Sequence, residues 1–126
     1  MGMTNLSALE VNDGTLGYGA GSGGAVTQIT NSATGVTLNK PCGQITTVAL
    51  TTAAAAEEGF VVTNSTVAAT DVVVVSTTYA GAGTPMLGVT NVAAGSFKIN
   101  ITNLHSASAL NALMVINFAV IKSVAA

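Results

Sequence analysis

The chain has 126 residues, of which 6% are charged, with three lysines, no arginine and a formal net charge of -2. That length makes one domain that buries roughly two thirds of the surface its unfolded form exposes, with far less charge than the about 25% of an ordinary soluble protein. The composition argues against nucleic-acid binding through clustered basic residues, and the single Cys42 excludes an intrachain disulfide framework.

Residues 1–24 are rich in Gly, Asn, Ser and Thr, with Asn12, Asp13 and Gly14 as a turn signal and a glycine-rich run at 17–24. They predict an irregular N-terminal arm. From residue 25 the pattern changes to short apolar segments separated by turn residues, the signature of an all-β sandwich or barrel, so 25–126 is read as one β-sandwich domain. Segments 25–30 and 34–39 are the first two strands. Pro41 then interrupts, because proline gives a ladder no N–H, and 43–50 is the third. Residues 51–58 are read as a loop with room for one helical turn, which Gly59 would stop.

Residues 60–64 form the fourth expected strand, and 71–78 the fifth, where a valine run loads both faces. Residues 79–85 are a turn with Gly and Pro, 86–92 the sixth strand, and Ala93, Ala94 and Gly95 the next turn. Segment 96–103 alternates cleanly, with Phe97, Ile99 and Ile101 to one side and Lys98, Asn100 and Thr102 to the other. After a polar connection, 113–122 (LMVINFAVIK) has two apolar sets: Leu113, Val115, Ala119 and Ile121 on one face, Met114, Ile116, Phe118 and Val120 on the other. It is too short for a membrane-spanning helix, which needs roughly 20 apolar residues. It reads as a central strand whose two faces both need cover. About eight strands in two antiparallel sheets, as a sandwich or jelly-roll-like barrel, accommodate the pattern.

Little in the chain points to catalysis. His105 is the sole histidine, which removes a multi-histidine metal site, and at the end of a strand it reads as a turn residue. Ser106 and Ser108 lie nearby, but Asp13, Glu57, Glu58 and Asp71 have no spacing that would orient a base. Glu57 and Glu58 are expected as solvated charges at a loop tip, pointing opposite ways. The glycine run at 17–24 lacks the Gly-Lys-Ser/Thr ending of a phosphate loop. Cys42 reads as a small buried hydrophobe. Sequons at Asn5, Asn64 and Asn100 read as Asn- and Thr-rich β-structure, because 1–6 has neither the basic nor the apolar region of a signal peptide. No catalytic, metal or cofactor residue is therefore assigned, and no membrane or nucleic-acid partner is expected.

Five segments, 23–30 (GGAVTQIT), 34–45 (TGVTLNKPCGQI), 63–75 (TNSTVAATDVVVV), 93–97 (AAGSF) and 116–121 (INFAVI), carry a resemblance that spans 23 to the C-terminus. Together they resemble a family of small β-rich virion proteins of tailed bacteriophages. The chain departs from the plainer family pattern at 51–60, where AAAAEE at 53–58 replaces a hairpin turn. Such proteins look like capsid decoration, or cement, proteins, which sit on the exterior of the head and clamp neighbouring capsomers, commonly as homotrimers. The resemblance implies a structural protein and not an enzyme, with the major capsid protein as partner. The lack of a signal-peptide pattern predicts a chain made in the host cytoplasm, and under the cement reading residues 1–24 are the natural capsid-facing arm, ordering only on the shell. Small neutral residues in place of charge suit such packing, since protein approaches them without desolvating ions. Val73, Val75, Met114, Ile116, Phe118 and Val120 are candidates either for the trimer seam or for packing on the second sheet of the sandwich. The alternative is a tail fibre or spike domain for host attachment, which the scarcity of aromatic rings, two tyrosines and no tryptophan, disfavours.

Overall fold

A computed structural model describes residues 10–125 of the chain. Its eight strands are β1 (Gly23–Thr27), β2 (Val36–Thr37), β3 (Cys42–Thr46), β4 (Glu57–Thr63), β5 (Val72–Tyr79), β6 (Pro85–Ala93), β7 (Ser96–Asn103) and β8 (Met114–Ile121). They form two four-stranded sheets, ordered β1-β3-β8-β5 and β2-β4-β7-β6, here called sheets A and B. Phe97 of β7 and Phe118 of β8 meet between them with ring centroids 5.7 Å apart and planes tilted by 56°. The architecture is an all-β sandwich, as the alternating segments predict.

Each sheet is mixed. β1 runs parallel to β3 and β2 parallel to β4, while β3–β8, β5–β8, β4–β7 and β6–β7 are antiparallel. The connections explain this difference from the expected antiparallel sheets. The first five strands alternate between A and B, so the chain reverses on each crossing and returns to the same sheet in its original direction. Only β6 and β7 are consecutive neighbours in one sheet. Their hairpin turns at Gly95, whose φ of 87° is open to glycine at no steric expense.

β7 buries Phe97, Ile99 and Ile101 and leaves Lys98, Asn100 and Thr102 half-exposed, the predicted alternation. β8 is second from an edge in sheet A and buries Met114, Ile116, Phe118 and Val120. With Ile45, Phe60, Val62, Val73, Leu50 and Leu110 these make one core. At about 25 cal/mol per Å² this apolar burial is the main force holding the sheets together.

Residues 51–56 are the expected loop, whereas 57–59 already belong to a strand. A turn at Ala53–Ala56, closed by a 3.2 Å bond from the Ala56 N–H to the Ala53 carbonyl, puts Ala55 at φ 57°. The strand then begins at Glu57 and runs through Gly59. A Cβ at Gly59 would stand 2.5 Å from the Ile99 carbonyl oxygen, so glycine serves close strand approach here and not a helix stop. The β3 ladder ends at Thr46, but Thr47 and Leu50 still donate to the carbonyls of Met114 and Ala112.

Candidate interaction surface

β8 has one covered face. On its other side Val115 and Ala119 are half-buried while Asn117 and Ile121 are exposed. Strand pairing places Cys42, Gln44 and Thr46 of β3, Ala25 and Thr27 of β1, and Val72, Val74, Ser76 and Thr78 of β5 on this same outer side. None of these residues carries a formal charge. Val72, Val74 and Ile121 are 49%, 45% and 52% exposed, a group of apolar side chains in water on one side of the sheet. Gln44 donates to Asn117 across it at 3.2 Å. A shallow depression of about 340 Å³ opens beside Val74, Ser76, Asn117 and Ala119, where small side chains leave the sheet uncovered. The outer side of sheet B also exposes Val61 and Met86, but it carries charged residues among them. Glu57 accepts from Thr102 at 3.0 Å and Asn100 donates to Thr90 at 2.7 Å, alongside Lys98.

Residues 10–22 contain no strand or helix, and β1 begins at Gly23, inside the expected arm. Residues 1–9 of the arm lie outside the described residues. Tyr18 is tied down: its hydroxyl donates to the Val120 carbonyl, just past the point where β3 stops pairing with β8. With Leu16 it walls a second groove, about 440 Å³, against Ala119, Ile121 and Lys122.

The six seam candidates resolve to the interior. Val73, Met114, Ile116, Phe118 and Val120 are buried and Val75 packs against them. The inner-sheet alternative is the one realised within a single chain, and the accessible apolar set is its complement on the same two strands. That complement was visible in the sequence as the second oily set of 113–122. Cys42, expected to be buried, is half-buried on the outer side of sheet A, beside Gly23.

The polar residues act as staples. Asn103 is fully buried at the end of β7. Its Nδ2 donates to the carbonyls of Thr52, Ala53 and Ser108, and its Oδ1 accepts the N–H groups of Thr84 and His105. His105 Nδ1 accepts the N–H groups of Ala107 and Ser108 at 3.0 and 2.9 Å, so its ring proton sits on Nε2. This is the turn role predicted for it. Asn64, inside a sequon, is fully buried, donating to the Lys40 carbonyl and accepting from Thr66. Glu58 departs from the expected solvated tip: its carboxylate accepts from Ser32 at 2.8 Å and from Thr52 at 2.5 Å, joining two loops. Short-range sequence signals did not mark Asn103 or Glu58, because each joins a nearby loop to one 19 to 51 residues away. Among the described residues no three His, Cys, Asp or Glu side chains converge on a metal-sized space.

Asp71 ends the 64–71 turn, where its Oδ2 accepts the Ala68 N–H at 2.8 Å and the Lys122 ammonium at 2.6 Å. The Lys122 hydrogen bond, then the Ala68 N–H, holds its carboxyl below the ordinary value of 3.8. A lowered folded value means that acid protonates the unfolded chain first. The stability from this pair is complete above about pH 4 and is lost as pH falls through the folded value. Asp71→Asn is expected to lower the thermal midpoint at pH 7 and to flatten its fall between pH 4 and 2. Equal acid limbs in both proteins would show that the pair contributes nothing.

No protein-family model, no curated protein and no solved structure matches the chain.

Proposed function

We propose that this chain is a capsid decoration protein of a tailed bacteriophage, a structural module that binds the outer surface of the head as an oligomer and stabilises the shell. The observation that carries the reading is the outer side of sheet A, free of formal charge and bearing exposed Val72, Val74 and Ile121. A surface of this kind approaches another protein without stripping water from ions. The family resemblance from residue 23 to the C-terminus supports the same role. The mechanism is additive: each copy contributes modest apolar burial to the major capsid protein, and an oligomer engages several capsomers at once, so each further contact gains from effective concentration.

The test is co-sedimentation of the purified full chain with expanded heads that lack it. Saturable pelleting, and a higher temperature for loss of the packaged genome, are expected. Protein that stays in the supernatant, and that in excess blocks phage adsorption to cells, would overturn the reading in favour of the tail.

A further inference from the structure

Each sheet of an open sandwich ends in strands with unpaired backbone groups, and proteins guard such edges with short length, glycine or proline, charge or bulges. Three of the four edges here are guarded. β1 has five residues and opens on two glycines, and β2 has two residues. β6 opens on Pro85 and breaks register between Thr90 and Ala93, with Asn91 at φ 54°. β5 has none of these devices. Its eight residues, VVVVSTTY, contain no charge, glycine or proline, and their register with β8 runs unbroken from Val72 to Tyr79. Such an uncharged, β-branched segment is the composition that recruits another strand.

The direction of its free groups follows from the neighbouring ladder. The Val120 N–H donates to Pro41 and the Met114 carbonyl accepts from Thr47, so the even-numbered residues of β8 bond toward β3. The odd-numbered residues of β8 therefore bond toward β5 through Val72, Val74, Ser76 and Thr78. Val73, Val75 and Thr77 are left with N–H and C=O groups directed out of the sheet edge.

We propose that a second copy of this chain pairs with that edge, β5 against β5 in antiparallel sense about a two-fold axis, to give a dimer with one sheet running through both copies. In the register that sets Val75 opposite the partner's Val75, Val73 meets the partner's Thr77 and Val74 meets the partner's Ser76. The outward groups then exchange about six backbone hydrogen bonds. This register also keeps like faces together, since Val72, Val74 and Ser76 lie on the outer side in both copies. No like charges are brought into contact: Asp71, the nearest acid, is already paired with Lys122. The second copy is the fitting occupant because self-pairing consumes the unguarded edge in both molecules. Only guarded edges remain, and assembly closes at two. The dimer joins the two uncharged outer faces into one surface. The pairing stands without the capsid reading, and its failure leaves that reading intact.

The test is the mass of the full chain in solution by light scattering, with amide hydrogen exchange on the same sample. A dimer with slow exchange at Val73, Val75 and Thr77 is expected. Thr77→Pro removes an outward N–H at a position where an edge strand tolerates proline, and is expected to give a monomer that keeps the β-sheet circular dichroism spectrum. Val61→Lys, on the exposed outer side of sheet B, is expected to remain dimeric. A wild-type monomer, a trimer, or fast exchange at the three amides would each overturn the proposal, as would a folded Thr77→Pro protein that stays dimeric. If Thr77→Pro does not fold, the wild-type exchange pattern decides.

Discussion

Replacing Asn103 by Asp is expected to destabilise the fold by about 3 kcal/mol or more, as severely as replacing it by Ala, although Asp has the same shape as Asn. The reason is the polarity of the site. Nδ2 faces three carbonyl oxygens, those of Thr52, Ala53 and Ser108, at 3.2, 3.2 and 2.8 Å. An aspartate there sets an oxygen against three acceptors, in a residue with no exposed surface. Ala removes the same donor and leaves the N–H groups of Thr84 and His105 without their acceptor. The damage spreads because Asn103 is where the 51–56, 80–84 and 104–112 loops are held at one end of the sandwich. Urea unfolding of the two variants measures the effect. An Asp variant within experimental error of wild type at pH 7 would mean that Nδ2 does not face those carbonyls.

Phe118→Ala is expected to lower unfolding free energy by about 3–5 kcal/mol, the range for emptying a buried aromatic site. The ring sits against Phe97 of the opposite sheet, 5.7 Å between centroids, so its loss opens a void between two sheets that cannot collapse together without moving β7 or β8. The decisive feature is concentration dependence. A core residue destabilises each chain equally at every protein concentration, whereas a seam residue acts through association, so its effect is full at high concentration and fades on dilution. A loss in Phe118→Ala that vanishes on dilution would return this residue to an intermolecular seam.

These two residues mark where sequence reasoning reached and where it stopped. Phe118 was legible as one of an alternating apolar set, but two such sets share 113–122. The choice between them belongs to the opposite sheet, which supplies Phe97, Ile99 and Phe60 to one side only. Asn103 was legible as the last residue of a strand and nothing more, since its five partners lie up to 51 residues away in the chain. Local pattern puts Glu58 on a loop because a helical turn of AAAAEE is too short to persist and Gly59 would stop it, whereas pairing with β7 extends the strand back to Glu57.

The sequence by itself determined the class of fold, the order and approximate bounds of the strands, the wet side of β7 and the hairpin at Gly95. These follow from interactions between residues a few positions apart: period-two alternation, β-branched composition and turn chemistry act locally and leave a local trace. Tertiary structure alone decided that the first strands alternate between sheets, so that two pairs run parallel. It also decided that Met114, Ile116, Phe118 and Val120 face inward, and that β5 ends its sheet, among the described residues, with none of the devices that guard the other three edges. Each depends on which distant strand lies alongside, and strand pairing is a relation between two segments that neither one records.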